Sequence, residues 1–252
     1  MTPRAERLAE MLRRLRLSGL LEHYESLALT AEKQGWGHSR YFYELIQTEF
    51  DERMQRRYRS ALKESKLPSE KTLDTFNLAK VPKKVRQRIP TLRKEEFIGD
   101  SNNLLIFGQP GRGKSHLACA LGHEWLQHGH RVLFVSAALL VQRLLAAKRD
   151  VCLEKLLRKL DRFDAVIVDD FGYIQQSEAE MQVLFTFLSE RYERRSLVLT
   201  SNLTFSEWGQ IFKNPMLTEA AIDRVVHHAE VLVMTGPSYR QQEAQKRMGG
   251  QL

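Results

Sequence analysis

Residues Gly108-Gln-Pro-Gly-Arg-Gly-Lys-Ser115 follow the pattern G-x-x-x-x-G-K-[ST], and no other stretch so narrows what this chain can fold into. Its glycines let successive backbone N–H groups curl around the β- and γ-phosphates of a nucleoside triphosphate. Lys114 adds a point charge to the same phosphates, and the Ser115 hydroxyl is suited to Mg²⁺. The pattern needs a strand before it and a helix after it. Asn103-Leu-Leu-Ile-Phe107 is a short apolar run that reads as a buried strand, and His116 to Gln127 reads as the following helix. Gly108, Gln109, Pro110, Gly111, Arg112, Gly113, Lys114, Ser115 and His116 are therefore the candidate ATP-binding set, with Ser115 also a candidate Mg²⁺ ligand.

A chain of 252 residues has room for one α/β domain and a small appendage. The two cysteines, Cys119 and Cys152, suit neither a metal site nor a disulfide framework, so a reducing, cytoplasmic setting is expected. No apolar run approaches eighteen residues and Met1-Thr-Pro-Arg-Ala-Glu6 lacks a signal peptide's apolar region, so no membrane association is expected. The net charge of +8 suggests a polyanionic partner. Lys80, Lys83, Lys84, Arg86, Arg88, Arg93 and Lys94 form one run without an acid. Lys148, Arg149, Lys155, Arg158, Lys159 and Arg162 form a second. A third group, Arg53, Arg56, Arg57, Arg59, Lys63 and Lys66, is interleaved with Asp51, Glu52 and Glu64 and reads as a solvated helix face.

Residues 1–66 carry no strand signal and form the expected first domain. Leu8, Met11, Leu12 and Leu15 recur at helical spacing, as do Leu20, Leu21, Tyr24 and Leu27, then Tyr41, Phe42, Leu45 and Ile46. Three or four short helices are predicted, broken at Gly35-Trp-Gly37, with Ser39 capping the last. Trp36, Tyr41, Phe42 and Tyr43 are expected in the core of this module, and Trp208 in that of the main domain. The helix must end near Lys66-Leu-Pro68, after which Pro68, Pro82 and Pro90 punctuate a connecting stretch. The second domain, 67–252, alternates apolar strands with amphipathic helices, the pattern of a parallel sheet covered on both faces. Its five expected strands are Leu104 to Phe107, Val132 to Val135, Ala165 to Asp169, Leu197 to Ser201, and Val231 to Met234.

Ala165-Val-Ile-Val-Asp-Asp170 is an apolar strand ending in two acids, about 55 residues after the loop. At a strand's C-terminal end beside the phosphates, Asp169 suits the water shell of Mg²⁺ and Asp170 suits polarising the attacking water. Asn202 ends another buried strand at the same edge, where an amide can orient that water; a turn or capping asparagine is the alternative. Arg224 follows a helix and either faces a neighbour's γ-phosphate or pairs with Asp223 on the surface. Arg240, just past the last strand, either reaches the phosphates within the subunit or is a tail arginine. His227-His228 and the group His123, His128 and His130 match no standard metal spacing.

Taken in order, these elements resemble AAA+ ATPases of the initiator and helicase-loader branch. The two helical stretches Ala137 to Ala147 and Val151 to Asp161 resemble the extra helix of that branch. Within it the chain is similar to the IstB family of insertion-sequence transposition helpers, and to the DnaC loaders. Arg16-Leu-Ser-Gly-Leu20, Leu67-Pro-Ser-Glu-Lys-Thr-Leu-Asp-Thr-Phe76, Val168-Asp-Asp-Phe-Gly172, Ala221-Ile-Asp-Arg-Val-Val-His-His228 and Ser238-Tyr-Arg240 carry that resemblance. It implies a P-loop AAA+ fold behind a helical N-terminal domain. It also implies that Asn202 is the first sensor, Arg224 a finger acting in trans and Arg240 the second sensor. Expected partners are duplex DNA, further copies in a ring or spiral, and a transposase. The alternative is a helicase loader that prefers single strands. Asp170 departs from the glutamate usual in AAA+ proteins, which bears on turnover rate.

Overall fold

The computed structural model describes residues 3–172, 177–212, 214–239 and 241. The chain divides into two compact units, Met1–Ser60 and Ala61–Leu252. Helices α1 (Pro3–Arg14), α2 (Ser18–Gln34) and most of α3 (His38–Ser65) make the first. The third helix is thus long rather than short. Ser39 lies inside it; the Gly37 carbonyl begins the helix, accepting from the Arg40 and Tyr41 amides at 3.1 Å each. Gly35 ends α2 in the left-handed conformation that glycine adopts without a Cβ clash.

Few side chains bury in this unit: Ala9, Leu12, Ala31 and Leu45 form its apolar centre. The expectation for its aromatics is corrected. Phe42 and Tyr43 are each 63% exposed, and with Ile46 and Phe50 they stand on the side of α3 that its own neighbours leave uncovered. What fixes the unit instead is a polar contact. Buried Glu49 of α3 accepts the Gly19 amide at 2.7 Å and the Leu20 amide at 3.2 Å, capping the orphan donors that open α2. Arg53 neutralises Glu49 at 2.8 Å and donates to the Arg16 carbonyl at 3.0 Å. The Arg16 to Leu20 stretch is therefore a helix start built around a carboxylate.

In the second unit α3 ends at Ser65, with Lys66 left-handed at φ 60°. The stretch that follows is more ordered than its prolines predict. Pro82 caps α4 (Lys83–Leu92), and Pro90 sits inside the last turn of that helix. Val85, Ile89 and Leu92 bury one face of α4, and its lysines and arginines occupy the exposed one. After α5 (Glu95–Gly99) come β1 (Asn103–Phe107), α6 (Lys114–Gln127), β2 (Val132–Ser136), α7 (Ala137–Arg149), α8 (Leu153–Leu160) and β3 (Ala165–Asp169). The chain continues through α9 (Glu178–Arg191), β4 (Ser196–Ser201), α10 (Gly209–Phe212), α11 (Pro215–Val226) and β5 (Ala229–Val233). The last strand starts two residues before its expected position, because Ala229 and Glu230 already pair with Asn103 and Leu104 of β1.

All five strands are parallel, in the order β2-β3-β4-β1-β5. Every residue of β1, β3 and β4 is buried, as unbroken apolar runs require when helices cover both faces. Trp125 and Trp208 are fully buried. Two polar residues lock the sheet's N-terminal end. Asn103 donates to the Val225 carbonyl at 3.1 Å and accepts the Leu197 amide at 2.9 Å. Arg191, 2% exposed, donates to the carbonyls of Leu160, Phe163 and Ser196 at 3.0 Å each. Among the described residues no helix is long and apolar enough to cross a membrane.

Candidate nucleotide-binding site

The sheet order sets β3, β4 and β1 side by side, so their C-terminal ends share one edge. There β1 releases the chain into Gly108, whose amide donates to the Ser201 carbonyl of β4 at 3.2 Å. Gly108, Gly111 and Gly113 all have positive φ, at 150°, 78° and 85°. At Gly111 the need is also spatial, since a Cβ would collide with the Ser238 hydroxyl. Helix α6 then opens on Gly113, a residue with no side chain to cap it. The Leu117 amide is the first to close a turn, onto the Gly113 carbonyl at 2.9 Å. The amides before it lie at the positive end of a fourteen-residue helix, where an anion is stabilised.

Lys114 is only 6% exposed, with Nζ 3.3 Å from the Gln109 carbonyl. An ammonium group so sheltered at a helix N-terminus suits a polyphosphate. Ser115 follows on the first turn of α6. Gln109 and Pro110 are exposed, and Arg112 is half-buried. The His116 ring is engaged elsewhere: Nε2 lies 3.0 Å from the Thr72 carbonyl and 3.1 Å from Thr75 Oγ1, and the ring packs against Phe76 at 5.1 Å. Burial pushes its pKa below the usual histidine value. What His116 offers a phosphate is its backbone N–H.

On β3, Asp169 is buried and accepts the Thr200 hydroxyl at 2.5 Å. Asp170 is exposed and left-handed at φ 59°, and its amide donates to the same Thr200 oxygen at 3.0 Å. The turned backbone thus separates two successive acids, one held at the sheet edge and one presented to solvent. Asn202 follows β4, and its Oδ1 is buried against Gly172 without a hydrogen-bond partner. The turn there is capped by Ser201 instead, whose Oγ accepts the Leu203 amide at 3.0 Å. The open terminus of α6 and the sheltered Lys114 ammonium fit a bound phosphate. The hard oxygens of Ser115 and Asp169 fit Mg²⁺.

Arg224 is not brought to this edge. It occupies the last turn of α11, whose chain runs on to the N-terminal end of β5. Its guanidinium rests over the Phe185 ring at 4.7 Å and donates to the Ala220 carbonyl at 3.0 Å. Arg240 lies outside the described residues. Its neighbours do reach the loop: the Tyr239 amide donates to the Gly111 carbonyl at 2.8 Å, and the Tyr239 hydroxyl to the Asn77 carbonyl at 3.0 Å. A groove of about 970 Å³, lined by Phe205, Asn214, Thr218, Ile222, His227 and others, carries none of the predicted site residues.

Two features escaped the sequence reading. Thr200 organises both acids but is one hydroxyl in an apolar strand, with only its register beside β3 to single it out. The stretch from Thr72 to Phe76, which in sequence carries only part of a family resemblance, packs on the loop helix through His116.

Residues 10–247 match the family described as IstB-like ATP binding protein. A Sinorhizobium fredii chain named as an insertion sequence ATP-binding protein is 40% identical over 239 residues, covering 94% of this chain and 80% of that one. A Pseudomonas aeruginosa chain named for ATP binding in insertion sequence IS21 is 37% identical over 239 residues, covering 95% and 90%. Among solved structures, the DnaC helicase loader superposes with a TM-score of 0.55 at 19% identity, over 66% of this chain and 98% of that one. AMPPCP-bound DnaA from Aquifex aeolicus gives 0.57 at 17% identity, over 73% and 56%. These two likenesses show that the chain shares their fold.

Proposed function

The chain belongs to the family of IstB-like ATP binding proteins, and from that premise we propose that it is an ATP-hydrolysing helper of insertion-sequence transposition that assembles on duplex DNA. The observation that carries this reading is the division of the machinery across the sheet. Phosphate loop, Asp169, Asp170 and Asn202 share one edge, while Arg224 sits on a helix leading to the other. A five-residue strand spans roughly 16 Å, so Arg224 serves a triphosphate only when a neighbouring copy presents one.

In this mechanism the amides opening α6 and the Lys114 ammonium bind the phosphates. Ser115 and Asp169 hold Mg²⁺, which when bound neutralises charge on the phosphate oxygens. Asp170 accepts a proton from the attacking water, Asn202 orients that water, and Arg224 of the next copy stabilises the charge of the transferring phosphoryl group. ATP then joins copies into a ring or spiral, and hydrolysis loosens them. Arg240 completes the phosphate contacts from within the subunit.

Exposed basic side chains supply the DNA contacts: Lys148, Arg149, Lys155, Arg158, Lys159 and Arg162 on and around α7 and α8, and Lys83, Lys84 and Arg86 on α4. Summed over several copies, many weak phosphate contacts give tight, salt-sensitive and sequence-tolerant binding. The assembled surface recruits the transposase. The test is sedimentation of wild type, Lys114→Ala and Arg224→Ala with duplex and single-stranded DNA, with and without MgATP, alongside phosphate release. Lys114→Ala should lose ATP binding. Arg224→Ala should keep it but lose hydrolysis and assembly. Normal turnover by Arg224→Ala would remove the shared site, and a preference for single strands would turn the reading toward a helicase loader.

A further inference from the structure

The histidine pair that matches no sequence spacing gains a third donor in three dimensions. His227 caps α11 in an extended conformation, φ −58° and ψ 123°, and His228 follows left-handed at φ 58°. That step brings two successive rings together, with centroids 4.1 Å apart and edge to face. His228 is fixed by its own backbone, since its carbonyl accepts the amide of Asn103, the first residue of β1, at 3.0 Å. Glu193, just beyond α9 and also left-handed at φ 56°, places Oε1 3.4 Å from His227 Nδ1. One donor atom from each of these three residues lies within 4.8 Å of the other two. The Tyr192 hydroxyl lies 3.0 Å from the same His227 Nδ1, a contact that an ion on that nitrogen would replace.

We propose that Glu193, His227 and His228 bind a divalent transition-metal ion of the zinc class, with the remaining position taken by water. Two imidazoles and a carboxylate are a donor set that zinc accepts, at metal–ligand distances of about 2.0–2.2 Å. Donors around such an ion stand roughly 3.4 Å apart, so the exposed side chains close on it by small rotations without disturbing the core. The other His-containing cluster, Glu22, His23 and Glu52, offers a single imidazole, and its Glu52 is already paired with Arg56. The ion ties the end of α9 to the end of α11, the two helices that meet where Arg224 rests on Phe185.

The test uses the untagged full chain, stripped with a chelator and titrated with zinc alone by calorimetry, without nucleotide. One ion per chain is expected, with a rise in melting temperature. His228→Asn, which keeps a residue tolerant of the left-handed backbone, and Glu193→Gln should each weaken binding at least tenfold. His128→Gln, which alters an exposed histidine elsewhere, should leave it unchanged. Circular dichroism in chelator checks that each variant is folded, and Glu193→Gln decides alone if His228→Asn is not. Absence of saturable binding at one ion per chain, or equal affinity in wild type and Glu193→Gln, overturns the proposal.

Discussion

Thr200 donates its hydroxyl proton to Asp169 Oδ1 across the boundary between β4 and β3, and its own Oγ1 accepts the Asp170 amide. One side chain thereby fixes the orientation of the proposed metal acid and the turn that presents its neighbour. Thr200→Val keeps the branched shape and removes both bonds. Losing an outer-shell partner of a metal ligand costs about 10–100-fold in metal affinity or activity. We therefore expect a higher Mg²⁺ requirement and slower phosphate release by that order. An unchanged Mg²⁺ midpoint in Thr200→Val would show that Asp169 needs no such support.

Glu49 sets the second prediction. Its buried carboxylate caps α2 through the Gly19 and Leu20 amides while Arg53 balances its charge. Glu49→Gln retains the shape but weakens charge-assisted bonds worth about 1.5–3 kcal/mol. The Gly19 and Leu20 amides should exchange with solvent roughly ten- to a hundredfold faster, by the conversion of 1.4 kcal/mol per decade. Unaltered exchange at both would place the stability of the unit in its small apolar centre instead.

The third prediction concerns the thiols. Cys119 is fully buried in α6, and burial pushes its pKa up to about 12, so almost no thiolate exists near neutrality. Cys152 is exposed. A thiol reagent at pH 8 should label one cysteine per folded chain and two in denaturant. Rapid labelling of both in native buffer would mean that α6, which carries Lys114, opens readily.

The parts of this molecule legible in sequence are those whose signal is local. The phosphate loop, the strands β1, β3 and β4 and the acids at the end of β3 follow from short patterns, because a strand buried on both faces must be continuously apolar; β5, half exposed at the sheet's edge, begins two residues before its apolar run. Whatever depends on a distant partner was hidden. Pro90 sits in the final turn of α4, where it removes one helical bond, to the carbonyl four residues back, and the buried face of Val85, Ile89 and Leu92 carries the helix past it. Phe42 and Tyr43 have core chemistry but nothing in their own unit covers them. Thr200, Glu193 and the stretch from Thr72 to Phe76 matter only through neighbours set by sheet order and helix docking.

His116 gives the last prediction, and its sign follows from burial. The ring donates from Nε2 to the Thr72 carbonyl in its neutral form, and burial, the largest influence, lowers its pKa below the usual 6.5. The folded state therefore binds this proton less readily than the unfolded one. The stability that the buried neutral ring contributes is fully present above pH 6.5 and is lost as pH falls from there through the lowered folded value, because burial penalises the charged ring by more than its bond to the Thr72 carbonyl favours it. The readout is protection of the Phe76 amide, which donates to the Leu73 carbonyl at 3.2 Å within the same stretch. At pH 7.5, His116→Ala should reduce that protection by a few-fold to about tenfold, the equivalent of one hydrogen bond of about 0.5–1.5 kcal/mol. At pH 5.5 the gap between wild type and variant should narrow, because wild type alone has an imidazole to protonate. A gap that stays constant or widens in acid would mean that the stretch is held by Phe76 packing rather than by the neutral ring.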